Sequence, residues 1–446
     1  MGTRFYFLRC ASLLAAGCLF SISCSAQSPS PEQAIPLRLT LKEAVQIAIK
    51  QNPQRLIASI ITQEADRNRQ IALSALLPQA GLQAGGVLEQ YNLQIVQKLP
   101  RHQTAGPYQF IQAGPAYSQT ILNLPQIRAY QIGKEGVRQG KADESITREQ
   151  VTQLVVTQYL LALRATAAYE AARSRVALAE RLVQQATNLE KTGVGLAIDT
   201  VRANVELQNE RQTLIDTGTA TRTTRYVLAA LLDLPSTQIP EPSDSLSFFD
   251  LPRYDVAAML SRALDKRPEI QSVQTQQRIA ALSRKETRDQ IFPELDFKGS
   301  WFYQGQRFND GIPAYSYEIS LQFPLFTGGR IHAETERASL EQNRIAEQRR
   351  ALEDRIVQEV KSALDELEAA RNSVDVANLG FKLANDEVAQ AERRFQAGVT
   401  TNIEVITAQD ELARASDSQI EALYQFNQSR ANLALAMGEI ESTYVQ

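Results

Sequence analysis

Two acidic residues stand just past matching interruptions of helical sequence. Asp199 follows "TGVGLAI" and Glu404 follows "AGVTTNI". A carboxylate in the first turn of a helix is favoured by the macrodipole, and that alone accounts for both positions. Bond-making chemistry has little to work with. Histidine occurs only as His102 and His332, neither of them beside a cysteine or a paired-carboxylate motif, so both read as surface or structural residues. This scarcity counts against histidine metal sites and against most acid–base or nucleophilic triads. No catalytic residue, metal or cofactor is expected, and an exported enzyme is rejected on the same ground. The formal charge of -3 gives no electrostatic reason for a nucleic-acid partner.

The N-terminal segment reads as an export signal covering residues 1–26. Arg4 and Arg9 precede an apolar run, Cys10 to Phe20, and small residues follow in "SISCSAQ". Two readings of its end stand side by side. Cleavage after Ala26 uses the small-x-small pair of Cys24 and Ala26; lipid attachment would use Cys18 in "LAAGC" or Cys24 in "SISC". An uncleaved anchor is disfavoured because the run falls short of the ~20 residues a spanning helix needs. All three cysteines lie here, so the mature chain has no disulfide and relies on packing.

Prolines mark where the long helices run. None occurs between Pro125 and Pro235 or after Pro324, and a helix interior tolerates proline only at a cost of ~3 kcal/mol or more. From Arg330 to Ala397 apolar residues step by four and three along one seam: Ile356, Val360, Ala363, Leu367, Ala370, Val374, Ala377, Phe381, Ala384, Val388, Ala391 and Phe395. That is a coiled-coil period, and a helix of this length reaches roughly 100 Å. It is too polar to lie in lipid.

The chain is also an internal duplication. Pro53 matches Pro268 and Pro78 matches Pro293 at one offset, pairing "LKEAVQIAIKQNP" with "VAAMLSRALDKRP" and "LLPQAGL" with "IFPELDF". At a slightly smaller offset, Gly193 matches Gly398, Ile198 matches Ile403, Ala203 matches Ala408 and Arg225 matches Arg430. The repeats are expected at 27–232 and 256–446, joined by a proline- and serine-rich linker over 233–255. In each repeat a glycine, Gly193 or Gly398, would end a descending helix in the left-handed conformation. Thr400, Thr401 or Asn402 would cap the next helix, as would a residue near Gly195. The tips fall near 193–197 and 398–402.

Between the helical tracts the period changes to two. In "YSYEISLQFPL", Tyr315, Tyr317, Ile319, Leu321, Phe323 and Leu325 share one face, with Ser316, Glu318, Ser320 and Gln322 on the other. Strands are expected at about 80–91 and 110–122 in the first repeat and at 295–304 and 315–325 in the second. Their length suits a tilted outer-membrane crossing; the bland alternative is a hairpin on a soluble domain. Trp301, Phe302, Tyr303, Tyr315, Tyr317 and Phe323 are candidate interfacial aromatics, although aromatics also favour ordinary strands. Four strands cannot close a membrane barrel, and hydrocarbon tolerates no open edge. Protomers would have to pool strands, and the side-chain-filled interior of eight favours twelve, a trimer, for a channel.

At this point the residues resemble the outer-membrane efflux family, the TolC-type export ducts. The marks are "LTLKEAVQIAIKQNP", "LQFPLFTGGR", "RFQAGVTTNIEVITAQDEL" and "SRANLALAMGEI", in order and spanning the mature chain. The fold this implies is mainly α with a small β part. It is a duplicated helix–hairpin–helix whose coiled-coil α-barrel extends a shared β-barrel, four strands per protomer and twelve per trimer. The function implied is an outer-membrane exit duct of a tripartite efflux or secretion system, a passive channel gated at its periplasmic tips. Its implied partners are outer-membrane lipid, a periplasmic adaptor and an inner-membrane pump. The adaptor would meet Gly193, Val194, Gly195 and Leu196 on one tip and Gly398, Val399, Thr400 and Thr401 on the other.

The resemblance also implies that Glu404, with Asp199 nearby, lines a periplasmic constriction; three copies would form a carboxylate ring that favours cations. There are departures. A second acid that some relatives carry is Thr407 here. The tyrosine and arginine that latch an acid near Asp199 in some relatives fall on Phe395 and Thr400, so that latch should be absent or different. The first repeat has "TILNLPQIR" where the second has "PLFTGGRIH", so Pro125 would set that corner without a glycine pair. The chain ends soon after Ile440, without the extension of some relatives. The alternative function is a periplasmic coiled-coil adaptor or scaffold without a pore, against which the duplicated hairpin and paired amphipathic strands argue.

Overall fold

A computed structural model describes residues 35–92, 104–249, 254–307 and 309–445. The export segment with Cys18 and Cys24, and His102, lie outside the described residues.

The chain opens with strand β1 (Ile35–Leu39) and helices α1 (Leu41–Gln51) and α2 (Pro53–Ser74). A hairpin of β2 (Gln79–Asn92) and β3 (Thr104–Leu122) leads into α3 (Leu124–Lys191) and α4 (Ala197–Leu231). After β4 (Gln238–Pro242) the sequence of elements recurs: α5 (Val256–Lys266), α6 (Pro268–Asp289), β5 (Glu294–Gly305), β6 (Ile312–Gln322), α7 (Arg330–Gln396) and α8 (Asn402–Ala436), closed by α9 (Ile440–Val445). Corresponding helices match in length. The first pair has 11 residues each, the second 22 and the fourth 35, while α3 and α7 have 68 and 67. At 1.5 Å per residue the two long helices are each about 100 Å.

Local chemistry sets the helix starts. Thr40 and Glu43 form a capping box at α1. Asn52 caps α2 by accepting from the Gln54 and Arg55 amides, with Pro53 preset for the first turn, and its amide donates to the Leu231 carbonyl at 2.8 Å. The α3 corner combines an Asn123 cap with Pro125 in the first turn, whereas α7 is entered through Gly328 and Gly329, both at positive φ. The same corner is thus built with different residues in the two repeats.

On the side towards the sheet, the helices lie in the order α2, α3, α6, α7; towards the far end the order becomes α4, α3, α8, α7. One flank of the chain is therefore α7 throughout, and the other is α2 followed by α4. Along α7 the seam residues Ile356, Val360, Ala363, Leu367, Ala370, Val374, Ala384, Val388, Ala391 and Phe395 are buried. Ala377 and Phe381 are only half-buried, because they fall between the cluster around Phe426 and the separate cluster near the tips.

A girdle of short elements holds the middle. The 233–255 linker contains β4, which pairs in parallel with β1, and Phe248 and Phe249 pack on the fully buried Phe426 at ring distances of 4.9 and 5.8 Å. Buried Tyr159 on α3 bonds the Leu39 carbonyl and Asp244, each at 2.8 Å, tying linker and β1 to the long helix.

Charges gather in the same girdle. Arg267 occupies the position that Asn52 holds in the first repeat, but its side chain pairs with Glu269 at 2.9 Å and with Glu359 instead of capping α6. Arg148 pairs with Glu441, and Lys266 with Glu439 at 2.6 Å. The Glu149 carboxyl is pushed up to about 7, chiefly by burial and then by Glu269, with Glu441 and Glu439 adding and Arg267 opposing. A carboxyl that holds its proton more tightly folded than unfolded stabilises at low pH and loses that contribution as pH rises from about 4.5 towards 7. Glu149→Gln is therefore expected to raise the thermal midpoint relative to the parent at pH 8 and not at pH 4, as read by circular dichroism in detergent.

Candidate functional site: the hairpin tips and the amphipathic sheet

The four long strands form one antiparallel sheet in the order β2-β3-β5-β6. Its register sorts the side chains into two faces, because directly paired residues point the same way. Leu82, Tyr117, Phe297, Trp301, Tyr303, Tyr315, Tyr317, Ile319 and Leu321 share one face. Rings of Trp301, Tyr315 and Phe297 surround Tyr317 at 5.3–6.3 Å, and the Tyr317 ring lies over Gly299. The opposite face carries Gln79, Gln83, Ser118, Lys298, Ser300, Ser316 and Glu318, several of which line a concave hollow. The sheet thus curls polar side in and apolar side out.

One expected aromatic does not join the apolar face: Phe302 alternates onto the polar face opposite Ala314. Phe323 lies just past the last residue of β6 and is exposed. Among the described residues, the outer edges of β2 and β6 have no strand neighbour.

At the far end each hairpin turns in a Schellman motif. The Val194 amide donates to the Leu189 carbonyl and the Gly193 amide to that of Glu190, with Gly193 at φ 77°. The second tip repeats this from Val399 to Arg394 and from Gly398 to Phe395, with Gly398 at φ 68°. Val194, Leu196 and Val399 are exposed apolar residues at these ends. Gly195, Thr400 and Thr401 belong to the same turns.

The caps differ from expectation. Thr401 holds the N-cap position of α8 and Leu196 that of α4, but neither makes a side-chain capping bond. Thr400 instead donates its hydroxyl to Glu404, and Asn402, fully buried, donates Nδ2 to the Asp199 carbonyl at 2.7 Å. Thr401 has the extended backbone usual at an N-cap, yet its hydroxyl makes no capping bond, and Asn402 is the side chain that reaches across to the first hairpin.

The two first-turn acids therefore have distinct surroundings. Asp199 is buried, 3.7 Å from Arg202 one turn along α4. Glu404 is half-exposed, and Arg394 from the last turn of α7 approaches it at 3.1 Å. Phe395 is buried in the apolar cluster at the tips, and Thr407 lines a shallow groove with Val201, Val205, Ile403 and Ile406. Sequence reading missed Arg394 and the bridging role of Asn402. A basic residue in the last turn before a Gly-Val break, ten positions ahead of an acid, was the available signal. His332 sits on the exposed side of α7, 3.6 Å from Glu336.

A concave polar sheet, an apolar outer face and paired coiled-coil hairpins about 100 Å long make up a TolC-like fold. Residues 259–439 match the Outer membrane efflux protein family. The chain is 24% identical over 322 residues to the pyoverdine export outer membrane protein OpmQ of Pseudomonas aeruginosa, a match covering 70% of this chain and 66% of that protein. Against the outer membrane protein TolC of Vibrio cholerae it is 22% identical over 417 residues, covering 90% of this chain and 91% of that one. In fold it resembles the crystal structure of the Campylobacter jejuni CmeC outer membrane channel, with a TM-score of 0.76 and 16% identity over 90% of this chain and 86% of that one. The family match thus covers the second repeat, and the chain spans just under two thirds of the length of the OpmQ relative.

Left-handed backbone at the tips gives a test with opposite signs. Gly193→Ala and Gly398→Ala should each destabilise their turn by about 1–2 kcal/mol. Gly380→Ala, in the open middle of α7 with nothing near its added methyl, should instead stabilise by about 0.5–1 kcal/mol. Amide hydrogen exchange at the tips and along α7 distinguishes the two.

Proposed function

We propose that three copies of this chain assemble into an outer-membrane exit duct of a tripartite efflux or secretion system. The carrying observation is that the two flanks of the protomer are each unfinished in a complementary way. The β2 edge follows α2 on one flank, and the β6 edge precedes α7 on the other. Exposed Val376, Leu379 and Leu383 run along α7; exposed Ile57, Ile60, Ile61, Val201 and Val205 run along α2 and α4. A flank that meets a different flank of its neighbour is a heterologous contact, which closes into a ring when the rotation fits. Three protomers supply twelve strands, enough for a barrel wide enough to conduct. The apolar aromatic face then meets lipid and the polar face lines the lumen.

The repeats 27–232 and 256–446 act as two staves of this ring. Exposed Val194, Leu196 and Val399, with the glycines and threonines of the same turns, form the surface for a periplasmic adaptor that links the duct to an inner-membrane pump. Glu404 and Asp199 sit at the constriction these tips make. Choice of cargo rests with the pump; the OpmQ relative is named for pyoverdine export.

Cell fractionation with chemical cross-linking tests the assembly: an outer-membrane band that cross-links to a trimer is expected, and a soluble periplasmic monomer would sink the duct in favour of a scaffold. The two faces of β6 give a second test. Ile319→Arg should impair membrane assembly, at a cost of about 2–4 kcal/mol near the bilayer midplane. Ser316→Arg on the polar face should assemble normally and alter conductance.

A further inference from the structure

We infer that Arg394 is a specificity-determining residue of the tip constriction, offsetting the Glu404 carboxylate so that each protomer presents a compensated charge pair there. This rests on the duct reading above and goes beyond it. Arg394 lies in the last turn of α7, where a cation is favoured by the helix dipole. Its backbone is fixed by the turn itself, because its carbonyl accepts the Val399 amide in the Schellman motif. That geometry brings the guanidinium back over the first turn of α8, 3.1 Å from one Glu404 oxygen. The other Glu404 oxygen accepts the Thr400 hydroxyl, so the carboxylate is held from both sides. The adjacent Arg393 donates from Nε to the Ala389 carbonyl at 2.9 Å, along its own helix.

The first tip reaches the same balance by another route. Leu189 stands where Arg394 does in the repeat, and Asp199 has Arg202 beside it. Both first-turn acids at the tips, Asp199 and Glu404, therefore have a guanidinium beside them. Repeated about a three-fold axis, Glu404 alone would make a ring of carboxylates, which selects cations. With an arginine beside each, the ring is a set of dipoles whose field falls off within about one Debye length, ~8 Å at physiological salt. The pair is partly exposed and adds little stability; its effect is on where charge stands along the passage.

The test is ion selectivity of the purified trimer in planar bilayers, read as the reversal potential across a potassium chloride gradient. Arg394→Gln should raise the cation-to-anion permeability ratio about threefold, and Glu404→Gln should lower it by a similar factor, if ring charge dominates the passage. The double variant should return close to the parent value, and Arg394→Lys should leave it unchanged. Arg394→Met repeats the measurement with a second neutral side chain should the glutamine variant fail to form trimers. A ratio unchanged by Arg394→Gln in a conducting trimer overturns the inference while leaving the duct intact. A parent protein that forms no conducting trimer overturns the duct reading and this inference together.

Discussion

Backbone hydrogen bonding is the constraint on which the rest of this structure depends. The sheet pairs every strand with its neighbour except along the outer edges of β2 and β6, where one row of amides and carbonyls has no strand partner among the described residues. Water can satisfy such groups, but hydrocarbon cannot. The apolar face around Trp301, Tyr315 and Tyr317 is suited to hydrocarbon, so an apolar face and open edges occur on the same sheet. Strand pooling between copies, as proposed above, would resolve that conflict. The proposed ring follows from it.

The helical part repeats the same logic in side chains. A single helix of about 100 Å cannot stand alone, and α3 and α7 each bury a seam against shorter helices that together span most of their length. The shorter helices are interrupted in the middle, and the interruption is filled by the girdle of β1, β4, α1, α5 and α9. Tyr159, Asp244, Phe426 and Arg267 connect that girdle to the long helices. Apolar residues remain exposed on both flanks after this packing, among them Val376, Leu379 and Leu383 on α7 and Ile57, Ile60 and Ile61 on α2.

The tips show how a repeated turn can carry different electrostatics. Both hairpins use the same backbone motif, with a glycine where only left-handed backbone closes the turn. The side chains around it have diverged. Asn402 links the second hairpin to the first through a carbonyl, Glu404 is held within its own hairpin by Arg394 and Thr400, and Asp199 is buried beside Arg202. At the two positions where the resemblance implied an absent or different latch, Phe395 is buried and Thr400 bonds Glu404.

Much of the architecture was legible in the residues because it is carried by periodicity. The step of four and three from Ile356 to Phe395 marked the α7 seam, alternation from Tyr315 to Leu321 marked a two-faced strand, and Gly193 and Gly398 marked the turns. These signals are local, and each is repeated often enough to rise above chance. Phe302 and the caps of α4 and α8 were misread because a one-residue difference in strand phase or turn geometry decides them, and no periodic signal reaches that far. The pairing of β4 with β1, the bond from Asn402 to Asp199 and the placing of Arg394 over Glu404 were decided only by tertiary structure. Each joins groups whose meeting depends on how a whole hairpin bends back, and sequence spacing alone does not fix that. The sequence by itself determined which faces are apolar and where the chain turns. The fold decided which charges face one another.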